Sequence, residues 1–272
     1  MTEQPVPYVD AKYLHDSTLK KLETKISSIE EYVPEIKPKT NNPDHKLAII
    51  LMDTIYHIKG GGQHCDVGFI RSKRENGPVF EVSLVVLTKA NKVIHIGKYV
   101  DEESQFEENE EIEMEIDWEK RFMNMRLHTA GHILATMIDE VTEYKSKPFK
   151  GNHIKGQSAV VFKGNLIEDN KGFLRERNNI IAHLQETIDQ IVNKNLQIKH
   201  KFITKEDFPK YKLILPYDLF KLDKVRIVWI DGYQPNSCGG THIQNTSEIG
   251  RIKIKKITQK KGIVRISYDV TD

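Results

Sequence analysis

Hydrophobic and polar positions divide the chain into two parts of different periodicity. In the first part, residues 46–56 form a β-rich apolar run that stops at the consecutive glycines 60–62. Residues 80–88 and 92–99 are β-branched segments parted by a turn region at 89–91. Residues 111–117 alternate strictly, with Ile112, Met114 and Ile116 on one face and acids on the other, the pattern of a half-buried strand. Several such strands with no helical period between them predict a small barrel. Residues 12–36 read both ways: Leu19, Leu22, Ile26 and Ile29 fall at helical spacing, yet 23–28 is rich in β-branched and small residues. Pro34, Pro38 and Pro43 beside Asn41 and Asn42 make 34–45 an expected exposed loop.

The period changes at Trp118. Phe122, Met125, His128, Ala130, Ile133, Leu134 and Met137 predict a helix over 119–140, and Ile181, Leu184, Ile188 and Ile191 a second over 178–193. Strands are expected at 158–162, 197–203, 225–230, 250–257 and 262–268. Helices mixed with a mostly β remainder predict an α+β fold, an antiparallel sheet carrying helices on one face. The reading is therefore a β-barrel domain over 1–117, containing the Gly-Gly-Gln element, and an α+β domain over 118–272.

Composition narrows the class. At 272 residues the chain suits two modest domains. No apolar run approaches the ~20 residues that span a bilayer, so no membrane association is expected. Two cysteines, Cys65 and Cys238, cannot make a disulfide-stapled scaffold. The first 20 residues lack the apolar core of a secretory signal and the first arginine is Arg71, so the cytoplasm is the expected compartment. The formal net charge of +2 hides an asymmetry: 101–119 holds eleven acidic and no basic residues, whereas 194–272 holds 16 basic and 8 acidic. A basic C-terminal part suits a polyanionic partner.

Candidate chemistry sits in two short stretches. His128 and His132 are four apart on an expected helix, which stacks their imidazoles on one face within reach of one metal. Cys238 and His242 are four apart across Gly239 and Gly240, and offer a thiolate and a third imidazole. Three nitrogens and one sulfur suit one tetrahedral Zn2+ per chain. Residues 129–131 are Thr, Ala and Gly, so the helix lacks the general-base carboxylate of a His-Glu-x-x-His metalloprotease. Four protein ligands close a zinc shell, which leaves a structural metal open beside a catalytic one whose shell expands or yields a ligand to water.

Leu127-His128-Thr129-Ala130-Gly131-His132, Ser237-Cys238-Gly239-Gly240-Thr241-His242-Ile243 and Glu248-Ile249-Gly250 resemble the editing domain of alanyl-tRNA synthetase. Gly61-Gly62-Gln63 and Asp66-Val67-Gly68 resemble its Gly-Gly-Gln and Asp-x-Gly elements, and the likeness runs from about residue 46 to 268. Only about 45 residues precede the first of these strands, too few for an aminoacylation domain, so the chain resembles the freestanding AlaX family of editing proteins. The resemblance implies a barrel followed by a zinc-bearing editing domain, and tips residues 12–29 toward strand. Gly131 departs from the polar or larger residue usual at that place, and His64 and Cys65 also differ from the pattern.

That resemblance implies a zinc-dependent deacylase that hydrolyses seryl-tRNA(Ala), and glycyl-tRNA(Ala), in trans. Its partner is mischarged tRNA; the oligomeric state is not readable. Thr129 and Gln63 become candidates for the amino-acid pocket, and Gly239, Gly240 and Thr241 for substrate binding. His153, in a stretch that resembles related eukaryotic chains, is a further candidate for lining the site. Lys253 and Lys255, alternating with Ile252 and Ile254, are candidate RNA-binding residues on one strand face. The same residues would also suit a zinc-stabilised tRNA- or protein-binding module without catalysis, or an editor of threonine-specific tRNA.

Overall fold

The computed structural model describes residues 10–33, 47–101, 103–141, 147–211 and 222–272. The loop expected at 34–45 lies outside the described residues. The chain folds into two compact units, residues 1–60 with 64–121, and residues 61–63 with 122–272. The tripeptide Gly61-Gly62-Gln63 thus groups with the second unit, although both of its flanks group with the first.

The first unit is a closed antiparallel barrel. Its strands are β1 (Lys21–Glu31), β2 (Leu47–Leu51), β3 (Gly68–Ser72), β4 (Val79–Leu87), β5 (Val93–Tyr99) and β6 (Glu111–Ile116), in the order β1-β2-β5-β4-β3-β6, with β6 closing on β1. β6 buries Ile112, Met114 and Ile116, as its alternation requires. β1 resolves residues 21–31 of the ambiguous segment as strand, whereas Lys12–Leu14 form a single 3-10 turn and residues 15–20 join no strand, so the strand expected from residue 12 starts nine residues later. A bulge between Ile26 and Ser28 shifts its register, which brings Ile26 and Ile29 to the same face. A bulged strand therefore imitated helical spacing. The apolar run expected to be strand over 46–56 pairs only through Leu51. Ile55 and Tyr56 are fully buried but leave the ladder, and the Tyr56 hydroxyl donates to the Phe69 and Glu115 carbonyls. Asp66 of the Asp-x-Gly element is also structural: its carboxylate receives the buried Arg121 guanidinium, whose Nη1 reaches the Ser17 carbonyl at 2.9 Å.

Burial in this barrel carries a pH dependence. His95 is fully buried, its Nδ1–H donating to the Ile49 carbonyl at 3.0 Å and its Nε2 accepting from Thr54 Oγ1 at 2.8 Å. Burial lowers its pKa from 6.5 to about 4. The unfolded chain protonates this ring below about 6.5 and the native ring only below about 4, so stability is full above pH 6.5 and falls as pH drops toward 4. The loss from this ring alone is on the order of 3 kcal/mol. Urea unfolding at pH 7.5 and 4.5 should show a smaller acid penalty for His95→Asn than for wild type. An equal penalty would clear His95 of any part in the acid sensitivity.

The second unit is α+β. Its helices are α1 (Trp118–Val141, whose first turn belongs to the first unit), α2 (Asn170–Asn193) and the short α3 (Phe208–Tyr211). Its strands are β7 (Lys147–Asn152), β8 (Ala159–Lys163), β9 (Ile198–Thr204), β10 (Lys224–Ile230), β11 (Asn236–Ser237), β12 (Arg251–Lys260) and β13 (Ile263–Thr271). They form two antiparallel sheets, β11-β10-β9 and β12-β13-β8-β7. α2 starts eight residues earlier than its apolar period indicated, because the Asp169 carboxylate caps the backbone N–H groups of Lys171 and Gly172. It lies along β12, with the Gln185 amide bonded to the Ile252 carbonyl and to the Ile254 N–H.

Candidate metal centre

α1 presents His128 and His132 one turn apart, and the loop after β11 presents Cys238 and His242. One donor atom from each of the four lies within 4.8 Å of every other. Donors 2.0–2.3 Å from a common ion at tetrahedral angles lie about 3.3–3.7 Å apart. Cys238 Sγ is 3.5 Å from His128 Nε2 and 3.3 Å from His242 Nε2. The four side chains could hold a metal ion, and the donor set suits one.

The second nitrogens of two of these rings are anchored, and for His128 the partner is an amide oxygen that can only accept. His128 Nδ1–H donates to Gln63 Oε1 at 2.6 Å, and His242 Nδ1 is hydrogen-bonded to Thr129 Oγ1 at 3.0 Å, so each Nε2 faces the cluster. Gln63 Oε1 also accepts the Thr241 N–H at 3.1 Å, while its Nε2 donates to Thr241 Oγ1 at 2.7 Å. Gln63 reaches this position because Gly62, at φ +77°, lies where a Cβ would stand 2.4 Å from the Gly151 carbonyl oxygen, and its own carbonyl accepts the His153 N–H at 2.8 Å. Only glycine satisfies both the dihedral and the approach.

The Cys238 loop is held by Arg226 of β10, whose Nη1 donates to the Cys238 and Gly240 carbonyls at 2.9 Å each. Gly240 N–H donates to the Cys238 sulfur at 3.3 Å. Gly240 lies close against the His128 ring, whereas Gly239 faces open space. Burial, with the Arg226 charge nearby, lowers His132 to about 4 and His242 well below its usual value, so both are the neutral imidazoles a metal requires. Burial raises the Cys238 thiol, which Arg226 opposes.

His153 joins the group from the residue after β7. Its ring stacks on His128, centroids 4.5 Å apart and planes 19° apart. Tyr268 of β13 donates its hydroxyl to the Leu127 carbonyl at 2.8 Å and accepts His153 Nδ1–H at 2.7 Å. Burial lowers His153 to about 3, the neighbouring His132 adding to the effect. The departure at Gly131 now has a physical account: a Cβ there would stand 2.4 Å from His153 Cε1 and 2.9 Å from the Tyr268 hydroxyl. The ring fills the volume that a larger residue 131 would occupy.

Of the residues singled out from the sequence, His128, His132, Cys238, His242, Gln63, Thr129, Thr241 and Gly240 therefore meet at one place. Lys253 and Lys255 do not; they lie on the exposed face of β12, and Lys255 pairs with Asp269 at 2.7 Å. Sequence reasoning gave no role to Arg226 or Tyr268, because nothing in a strand arginine or tyrosine marks which carbonyls it will bridge.

A His/His/Cys/His cluster with His128 and His242 buried and His132 and Cys238 half-buried, in an α+β unit that follows a closed barrel, defines the class. Residues 225–267 match the family described as "Threonyl and Alanyl tRNA synthetase second additional domain". Over nearly its whole length the chain is similar to alanyl-tRNA editing proteins. It is 29% identical to alanyl-tRNA editing protein AlaX-M of Saccharolobus solfataricus over 95% of this chain and 97% of that protein. It is 26% identical to AlaX-L of Pyrococcus horikoshii over 96% of this chain and 57% of that protein. It is also 30% identical to the alanine–tRNA ligase of Methanococcus vannielii over 81% of this chain and 23% of the ligase. The chain spans about a quarter of the length of the ligases it matches.

Proposed function

We propose that this protein is an aminoacyl-tRNA deacylase that hydrolyses the ester of seryl-tRNA(Ala), and of glycyl-tRNA(Ala), at a zinc ion held by His128, His132, Cys238 and His242. The observation that carries this reading is the four-donor cluster itself, with its rings pre-oriented by Gln63 and Thr129. Its likeness to alanyl-tRNA editing proteins along 95% of its length supports the substrate class. Zinc bound there would supply Lewis-acid polarisation of the ester carbonyl and a water of lowered pKa. Gln63 and Thr129 keep the His128 and His242 rings aimed, Arg226 keeps the Cys238 loop closed, and the open space beside Gly239 admits the aminoacyl ester. Polar atoms of Thr129 and Gln63 beside these imidazoles are the groups that would read the serine hydroxyl.

The need for such an enzyme is thermodynamic. A pocket built for alanine rejects glycine poorly, because a missing methylene is worth only ~1–3 kcal/mol, and it excludes an added hydroxyl weakly. A second site that removes those errors supplies the discrimination. A hydroxyl-reading group left unpaired by alanine costs about 1–3 kcal/mol. Wild type is accordingly expected to hydrolyse seryl-tRNA(Ala) several-fold to over a hundredfold faster than alanyl-tRNA(Ala), measured as release of labelled amino acid. No hydrolysis of either would make the protein a binding module, and faster hydrolysis of seryl-tRNA(Thr) would make it a threonine-side editor.

A further inference from the structure

The sheet β12-β13-β8-β7 has one face turned to solvent, and its charge is almost all of one sign. Its four strands contain a single acidic residue, Asp269. Register across the sheet assembles the basic residues into rows. Lys260 stands opposite Ile263, which stands opposite Lys163; Arg265 stands opposite Val161, which stands opposite Lys150; and Lys256 faces Ser267. Lys150, Lys163, Lys256, Lys260 and Arg265 are all exposed. Among the described residues none of these five has an acidic partner. Lys253 and Lys255 differ, since Lys253 lies opposite Asp269 in register and Lys255 pairs with it. Asp269 thus offsets part of the charge at its own end of the sheet, where Arg251, Lys253 and Lys255 lie, and the other end is left wholly cationic.

Two further features mark the cationic end. β7 bulges between Pro148 and Lys150, and Phe149 in the bulge is 57% exposed, with Lys163 Nζ 4.0 Å from its ring centroid. A bulge re-aims a side chain at the edge of a sheet. β7 also leads directly to the metal centre: Lys150 is three residues, at most about 10 Å of chain, from His153, whose ring stacks on His128.

We propose that this face docks the aminoacyl end of the RNA, with Lys150, Lys163, Lys256, Lys260 and Arg265 against its phosphates and Phe149 against a base. The proposal rests on the tRNA reading above and gives it a place. Cations without acidic partners are the group that releases counterions from a polyphosphate, and an exposed aromatic beside them is the group on which an unpaired base stacks. A phosphate backbone that follows β7 toward Asn152 runs to the ring beside the cluster, where the ester must lie.

The test measures binding of uncharged alanine-specific tRNA to the intact protein between 50 and 200 mM salt. The triple variant Lys150→Ala, Lys163→Ala, Arg265→Ala is expected to flatten the slope of log affinity against log salt by about 2 to 3, at ~0.7–0.9 for each phosphate left without its cation. The pair Lys253→Ala, Lys255→Ala is expected to change it by less than about 1. Phe149→Ala is expected to weaken binding roughly tenfold with the slope unchanged, because it removes stacking rather than charge. Thermal unfolding like that of wild type in each variant checks the fold. A wild-type slope in the triple variant, with tRNA still bound, overturns this face and leaves the tRNA reading standing. Failure of the wild type to bind tRNA overturns both.

Discussion

Cys238→Ala and His132→Ala proteins are expected to emerge from purification without stoichiometric zinc, whereas wild type holds about one ion per chain. Each substitution leaves three donors where four converge within 4.8 Å. Removing a group that only hydrogen-bonds a ligand typically costs 10–100-fold in metal affinity. Removing a direct ligand should cost more, on the order of a thousandfold, and a chelator wash at neutral pH should then strip the ion. The Cys238→Ala protein also frees the Gly240 N–H from its 3.3 Å bond to sulfur, which loosens the loop that Arg226 gathers. Deacylation of seryl-tRNA should fall with the metal. Thermal unfolding divides the two roles of the ion: a large drop in midpoint marks a structural metal, and lost activity with little change in midpoint marks a catalytic one. Full zinc in both variants by elemental analysis would refute the ligand set.

Gly131→Ala should destabilise the second unit by about 2 kcal/mol, against the sign that helix propensity gives. In an ordinary helix interior this substitution is favourable by ~1 kcal/mol. Here the new methyl would stand 2.4 Å from His153 Cε1 and 2.7 Å from its Nδ1. The ring has nowhere to retreat. It stacks on His128, bonds to Tyr268, and lies so close to Gly151 that a Cβ there would meet its Nε2 at 2.4 Å. Forcing a methyl into such a site costs ~1–3 kcal/mol beyond the propensity gain. Pushing His153 displaces the His128 ring as well, so zinc affinity should fall about tenfold. His153→Ala in the same chain removes the clash, and a double-mutant cycle should show a favourable coupling of about 1–3 kcal/mol between positions 131 and 153. Equal or higher stability in Gly131→Ala alone, by urea unfolding, would mean that the ring does not occupy this space in solution.

Legibility in the sequence followed the range of the interaction. The helix carrying His128 and His132 was readable because its apolar period is local, and α1 covers the expected span with one or two residues to spare. β6 was readable for the same reason. β1 was not, because the extra residue of its bulge turned a period of two into a spacing of three, and only its pairing with β2 and β6 decides that it is a strand. β7, with proline and glycine in Lys147–Asn152, carries no strand signal, yet it forms an edge through its ladder with β8. The run 46–56 misled in the opposite direction, since Ile55 and Tyr56 are apolar to fill the barrel and not to extend β2.

What the sequence determined by itself is the donor chemistry: two pairs of ligands at a separation of four, each set by the geometry of one turn or one loop. What the tertiary structure alone decided is the convergence of those pairs and everything that orients them. Gln63, Thr129, Arg226, His153 and Tyr268 act on the cluster by joining segments up to 178 residues apart. Charge on the β12 sheet follows the same division. The excess of lysine and arginine is written in the composition, but cross-strand register places Asp269 beside Lys253 and Lys255 and leaves Lys150, Lys163 and Arg265 without an acid. Ion pairing depends on a few ångströms between strands, a distance that no one-dimensional pattern contains.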